Sequence, residues 1–442
     1  MALNNKNVII LLFVSVLFVP RIPSLHAVAN YAKVDEVVQK RAQDALAAAQ
    51  KAYNPNPEEV TDDFNKQVAE ILKGDHQNTT RRQMKEGECL ATNPIDSCWR
   101  CDPKWATNRK RLADCARGFG HGTTGGQAGE IYIVTDPSDN SPTDPKPGTL
   151  RHAVIQEAPL WIIFKNSMVI TLQHELMIAS NKTIDGRGVE VRIAYGAGLT
   201  IQFVQNVIIH GIRIHDIKPA SGGMIRDSLA HLGLRTVSDG DAISLFGASN
   251  VWIDHVSMAK CSDGLVDAIM GTTALTISNC KFNRHNDVML LGASDGFGED
   301  SIMQVTVAFN RFGRGCVQRM PRCRYGFVHI VNNDYSQWEK YAIGGSAHPT
   351  IISQGNRFKA SDDLALKQVT HRDYAAESEW KNWQWRSEGD LFLNGAFFQE
   401  SGAPLKQSPL TNLNTIQYKP GTFVGSLTRD AGALSCKVNQ PC

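Results

Sequence analysis

Six stretches decide the fold: Asn206-Val-Ile-Ile-His-Gly-Ile-Arg-Ile214, Asn250-Val-Trp-Ile-Asp-His-Val-Ser-Met258, Ala274-Leu-Thr-Ile-Ser-Asn-Cys-Lys-Phe282, Gln304-Val-Thr-Val-Ala-Phe-Asn-Arg-Phe312, Phe327-Val-His-Ile-Val-Asn-Asn-Asp-Tyr335 and Thr350-Ile-Ile-Ser-Gln-Gly-Asn-Arg-Phe358. Apolar residues alternate in each, and each ends on a large apolar side chain. Such alternation puts one face of a short strand inward. The last residues stand 44, 24, 30, 23 and 23 positions apart. We read the first interval as two units of 22 and the 30 as one unit with a loop insertion. Short strands at this period are the signature of a solenoid. Two residues before the end, three successive units carry Asn310, Asn333 and Asn356. Coils stacked at the ~4.8 Å strand spacing let each amide hydrogen-bond the next. A sandwich or barrel would supply short strands without this register. The expected fold is therefore all-β, a right-handed single-stranded parallel β-helix, spanning residues 89–442.

The chain before the repeats has another texture. Polar Asn4 to Asn7 precede the apolar run Val8 to Val19, and Ala27-Val28-Ala29 offers a cleavage site. That run suits a signal peptide over residues 1–29 and is too short to span a membrane. Helical spacing follows in Val34 to Tyr53, broken at Asn54-Pro55-Asn56-Pro57 because proline fixes φ and lacks a donor. A second helical stretch runs from Glu58 to Leu72, so residues 30–88 read as a helical accessory region, closed by the basic pair Arg81-Arg82.

Of 442 residues, 42% are hydrophobic and 20% charged, as in a globular chain, and the net charge of +2 is too mild to indicate nucleic-acid or membrane binding. Ten cysteines suit an exported protein with disulfides. Cys98 and Cys101 form a CxxC, but no second pair follows at zinc-ligand spacing. Asn78 and Asn181 head glycosylation sequons.

A repeat turns sequence spacing into proximity. Five residues past two successive unit ends lie Asp263 and Asp287, and one period before Asp263 lie Asp239 and Asp241; Asp267 follows four residues after Asp263. Carboxylates on adjacent coils about 5 Å apart repel unless one is protonated or a cation intervenes. Calcium, with six to eight oxygen ligands in flexible geometry, is the natural cation. Unrelated surface aspartates are the bland alternative, which the period-matched spacing disfavours. Arg319, seven past Phe312, falls near the same column one or two coils further on.

Asn250 to His255, Cys261-Ser-Asp263-Gly-Leu-Val-Asp267, Val288 to Gly292, Val305 to Asn310, Gln318-Arg-Met-Pro-Arg-Cys-Arg324 and Tyr341 to Ser346 resemble the plant pectate lyases and related pollen allergens. Residues 30–88 resemble the accessory segment of the pollen-type members. The resemblance implies a calcium site on Asp239, Asp241, Asp263 and Asp267, a catalytic arginine at Arg319 and a substrate-binding arginine at Arg324. It also suggests the pairs Cys98–Cys115 and Cys436–Cys442. Cys261–Cys280, 19 apart on neighbouring coils, is a third expected pair; Cys89–Cys101 and Cys316–Cys323 remain by elimination. One departure stands out: Asp287 occupies a position where related lyases often have a substrate-binding lysine.

The implied activity is calcium-assisted β-elimination of polygalacturonate by a secreted, monomeric, cell-wall protein. An arginine base, normally protonated to above pH 12, implies an alkaline optimum. A hydrolase would need paired acid carboxylates and an attacking water. Its motifs are absent: Gly120-His121-Gly122 precedes the repeats, and Asp62-Asp63 and Asp362-Asp363 fall outside the aspartate column. A non-catalytic wall-binding protein would keep the coils and lose the chemistry; intact Arg319 argues against it.

Overall fold

In the computed structural model, residues 35–66, 89, 91–403 and 418–442 are described. Parallel strands stack into three long sheets of ten, eight and nine strands. Each of the six stretches turns a corner between two of these sheets. Ser249–Asp254 runs in the ten-stranded sheet and Ser257–Ala259 in the nine-stranded one, and Thr273–Ser278 with Lys281–Asn283 repeats this one coil on. Neighbouring coils pair in register, Val251 with Val207 and Leu275, so the architecture is the parallel β-helix.

Alternation explains the interior. Val251 and Ile253 face the solenoid core, while Trp252 faces outward. The outward face of the ten-stranded sheet is covered as well, by Ile95, Trp99, Trp105 and Leu112 from the chain ahead of the repeats. Inside, the unit-ending side chains form one aromatic stack, Phe282, Phe312, Tyr335, Phe358 and Phe392, with successive ring centroids 4.9, 4.6, 4.6 and 5.6 Å apart. At the corner the amide ladder is present: Asn310 Nδ2 donates to Asn333 Oδ1 and Asn333 Nδ2 to Asn356 Oδ1, both at 3.0 Å. Asn356 in turn donates to Asp390 Oδ1 at 3.2 Å.

The structure corrects one spacing. The 44 residues from Ile214 to Met258 make one coil, not two, because Gln205–His210 pairs directly with Ser249–Asp254. The chain leaves the solenoid to form an antiparallel hairpin, Gly223–Ser228 with His231–Arg235, and returns at Asp239 to Asp241.

The accessory region begins as expected with a helix, Glu36–Ala52, capped by Asp35, whose carboxylate accepts from the Val37 and Val38 amides. It lies against Ser249–Asp254 and Thr273–Ser278. His231 of the hairpin reaches back to Asp35 at 2.9 Å, and Arg41 to Asp227 at 2.9 Å. Helix also occupies 57–66; the rest of the second helical stretch, Arg81-Arg82, Asn78 and the signal segment lie outside the described residues.

Disulfides join Cys89–Cys101, Cys98–Cys115 and Cys436–Cys442, with Cα separations of 5.0, 5.7 and 4.7 Å. Cys261–Cys280 and Cys316–Cys323 do not form; all four are thiols. The coil offset is the reason. Ser257 pairs with Lys281, so Cys280 stacks on Val256, and Cys261 sits five residues further round the coil. Cys316 and Cys323 share one coil but belong to strands of different sheets. Burial pushes the Cys261 and Cys316 thiols up to about 12, so both stay protonated and unreactive at neutral pH, Cys316 in the core and Cys261 at its edge.

Candidate active site and metal-binding cluster

The eight-stranded sheet and the turns entering it carry the site. Ile243–Phe246, Val266–Ile269 and Met289–Leu291 are consecutive strands, with Ser244 paired to Asp267 and Asp267 to Leu290. Asp241 and Asp263 lie in the turns that enter the first two of these strands, and Asp267 projects from the second. Asp287 closes a short strand, His285–Asp287, that pairs with Cys316–Gln318 on the following coil. Arg319 comes next in the chain. The column expected from spacing is therefore real: Asp241, Asp263, Asp287 and Arg319 on successive coils.

Asp239, Asp241 and Asp263 each offer a carboxylate oxygen within 4.8 Å of the others, and this is the one such acidic, His or Cys group among the described residues. Asp267 joins them through Gly264. A Cβ there would stand 2.3 Å from Asp267 Oδ1 and 2.9 Å from Asp241 Oδ1, so only glycine lets these two carboxylates close in. Asp241 is oriented by its own bonds, accepting from the Gly264 amide at 2.6 Å and from Ser244 Oγ at 2.9 Å.

The charges are in conflict. Burial, then Asp239 and Asp263, push the Asp241 carboxyl well above the usual carboxylate range. Burial, then Asp241, Asp263 and Asp239, do the same to Asp267. Asp263 is raised by burial and by Asp287, with Arg319 opposing. A set of hard oxygen donors held together against this repulsion fits calcium.

Both arginines meet carboxylates. Arg319 Nε lies 3.0 Å from Asp287 Oδ1, with the two side chains 31% and 21% exposed. Arg324, on the strand Arg322–Arg324, gives Nε to Asp295 Oδ1 at 2.8 Å and Nη1 to the Gly292 carbonyl at 2.9 Å, which leaves Nη2 for a ligand. Burial, and then Arg322, lower its proton affinity. Arg322, outward on the same strand, is buried and tied to Asp373 at 2.8 Å and Ser346 at 3.2 Å. Sequence spacing missed Gly264, Ser244 and Asp295; the Gly in Asp263-Gly264 was the signal available for the first.

The remaining candidates lie elsewhere. Gly120 abuts Thr276 and the Val251 carbonyl on the ten-stranded sheet, so its neighbour His121 is remote from the aspartates. Asp363 caps a short helical turn. Asn181 accepts from Asn206 at 2.8 Å, and the sequon's Thr183 is fully buried, accepting from the Gly126 amide.

A family model described as pectate lyase matches residues 107–378, and one described as pectate lyase, N terminus, matches residues 30–84. A pectate lyase of Lilium longiflorum is 63% identical over 417 residues, 94% of this chain and 95% of its own. A probable pectate lyase of Solanum lycopersicum is 55% identical over 442 residues, 98% of each chain. Among solved structures, jun a 1, the major allergen from cedar pollen, superposes with a TM-score of 0.75 at 46% identity, over 77% of this chain and 99% of its own. A pectate lyase from Bacillus sp. N165 shares the fold, with a TM-score of 0.52 at 21% identity over 72% and 99% of the two chains. Matched along nearly its whole length by relatives more than half identical to it, the chain belongs to the pectate lyase family.

Proposed function

We propose that this pectate lyase cleaves (1→4)-α-D-galacturonan by calcium-assisted β-elimination, with Asp239, Asp241, Asp263 and Asp267 holding the metal and Arg319 acting as base. The observation that carries this reading is the column itself: like charges crowded on successive coils, ending in a half-exposed arginine. When bound, calcium supplies a Lewis-acid partner for a uronate carboxylate and offsets the repulsion among the aspartates.

The chain's own groups do the rest. Arg319 takes the C5 proton of a galacturonate unit. The C5–H and C4–O4 bonds break, the C4–C5 double bond forms, and the departing O4 takes up a proton to become the hydroxyl of the other fragment's new reducing end, so no water is added. The shorter sugar chain leaves with an unsaturated galacturonosyl unit at its non-reducing end. Arg324, through Nη2, holds a neighbouring carboxylate by a charge-assisted hydrogen bond. The substrate places the protein outside the cell, in the wall, where the leader read at residues 1–29 would deliver it. No helix among the described residues is long and apolar enough to cross a membrane.

Arg319→Lys tests the assignment. Lysine keeps the charge but not the planar fork. Turnover, read as ultraviolet absorbance of the unsaturated product, should fall by the ~10²–10⁴ of a lost general base while KM stays near normal. Arg324→Lys should mainly raise KM. A folded Arg319→Lys protein with normal turnover would leave a calcium-dependent pectate binder and no base.

A further inference from the structure

Asp287, the carboxylate beside Arg319, takes no direct part in the proposed reaction. Asp287 and Arg319 sit on adjacent coils, brought level because Asp287 pairs with Gln318 in the short sheet that His285–Asp287 makes with Cys316–Gln318. The contact is made by one edge of the guanidinium, Nε, at 3.0 Å from Asp287 Oδ1. That oxygen is buried and makes no well-aligned hydrogen bond, so charge rather than hydrogen-bond geometry holds the pair. The Arg319 side chain makes no other ion pair or hydrogen bond among the described residues, although its backbone carbonyl accepts from the Met289 amide at 2.7 Å. Its backbone is also constrained, at φ +59°, a left-handed conformation uncommon for a non-glycine residue.

Arg324 supplies the contrast. It too gives its Nε to an aspartate, but Nη1 is bound to the Gly292 carbonyl as well, and its side chain is 15% exposed against 31% for Arg319. One arginine is fastened at two points; the other is held along one edge with its terminal nitrogens open.

We propose that Asp287 is a positioning residue for Arg319, holding the Nε edge of the guanidinium so that its terminal nitrogens stay unengaged beside the acidic cluster. The inference rests on Arg319 being the base. An arginine on a flexible stem, released from this contact, would sample many rotamers and meet the reacting carbon less often. A misplacement of about 1 Å is enough to lower a rate by ~10²-fold.

The test combines Asp287→Asn, nearly isosteric but uncharged, with Asp287→Ala. Both should lower kcat by about 10–100-fold, with KM for trigalacturonate within about 3-fold. Calcium affinity by calorimetry should stay within about 5-fold and thermal unfolding near that of the unaltered protein. With the arginine already replaced by Arg319→Lys, adding Asp287→Asn should lower kcat by less than about 3-fold more, because the two residues act as a unit. Normal kcat in both Asp287 variants, alongside an inactive Arg319→Lys, would overturn the positioning role and leave the base assignment standing. A raised KM with kcat kept would make Asp287 a substrate contact instead. Weak calcium binding with kcat restored at saturating calcium would make it a metal ligand, and either result overturns the proposal. If Arg319→Lys itself turns over normally, the base assignment fails first.

Discussion

Two columns run up the same solenoid. Asn310, Asn333 and Asn356 stack inside it, and Asp241, Asp263 and Asp287 stack outside. The coil treats them alike, placing each residue over its equivalent on the next turn. Their chemistry differs. An amide both donates and accepts, so every asparagine satisfies the next at 3.0 Å, and the column stabilises itself. An ionised carboxylate only accepts, so repetition multiplies repulsion, which Arg319 offsets at one end and the proposed cation would offset within the cluster. The repeat thus amplifies whatever residue type it stacks: structure where the residue pairs with itself, a binding site where it cannot.

Asp390 puts a carboxyl at the end of the inner column, next to Asn356. Burial, against hydrogen bonds from Ser353, Asn356 and Ser387, raises it to about 7. The folded protein then holds this proton more tightly than the unfolded chain. Its contribution to stability is full below about pH 4 and is lost as pH rises to about 7. Asp390→Asn extends the amide ladder and removes that loss. Urea unfolding should show a gain of up to about 4 kcal/mol at pH 8 and little change at pH 4. Equal effects at both would contradict a protonated Asp390.

Breaking the ladder at its middle is next in size. Asn333→Ala deletes the bonds to the Asn310 amide, the Val307 carbonyl and Asn356 in a fully buried site. Groups left unsatisfied at ~1–3 kcal/mol each should lower stability by about 3 kcal/mol, with activity per folded molecule kept. A loss under about 1 kcal/mol would mean that the aromatic stack alone sets the register.

In the outer column the same kind of change should have opposite signs with and without metal. Asp267→Asn removes one of the crowded charges, so in chelator it should raise the melting temperature. It should also weaken calcium binding by at least the ~10–100-fold typical of disturbing a metal site's supporting groups, measured by calorimetry. A variant destabilised in both conditions would show that Asp267 is structural.

The fold was largely legible because alternation and ladder position recur in fixed register from Asn206 to Phe358. The earlier strands were not, since Leu160–Phe164 is almost continuously apolar and Lys182–Asp185 is a buried polar strand, and neither shows the alternating pattern. The hairpin after Ile214 hid because its length nearly equals one coil, which mimics an extra turn. Spacing found the aspartate column and Arg319. It could not find the role of Gly264, which is an absence of atoms, or the partner of Asp287, which depends on a coil offset altered by the loop before Gln304. Cys261 and Cys280 misled for the same reason: proximity on a solenoid follows the local coil length, not an average one.

If the proposed function holds, the outer column works only when a cation completes it. The direct measurement is formation of the ultraviolet-absorbing unsaturated product from polygalacturonate, before and after exhaustive chelation and then with calcium added back. Activity should disappear in chelator and return with calcium, while the protein stays folded throughout. Full activity after chelation and dialysis would contradict the claim.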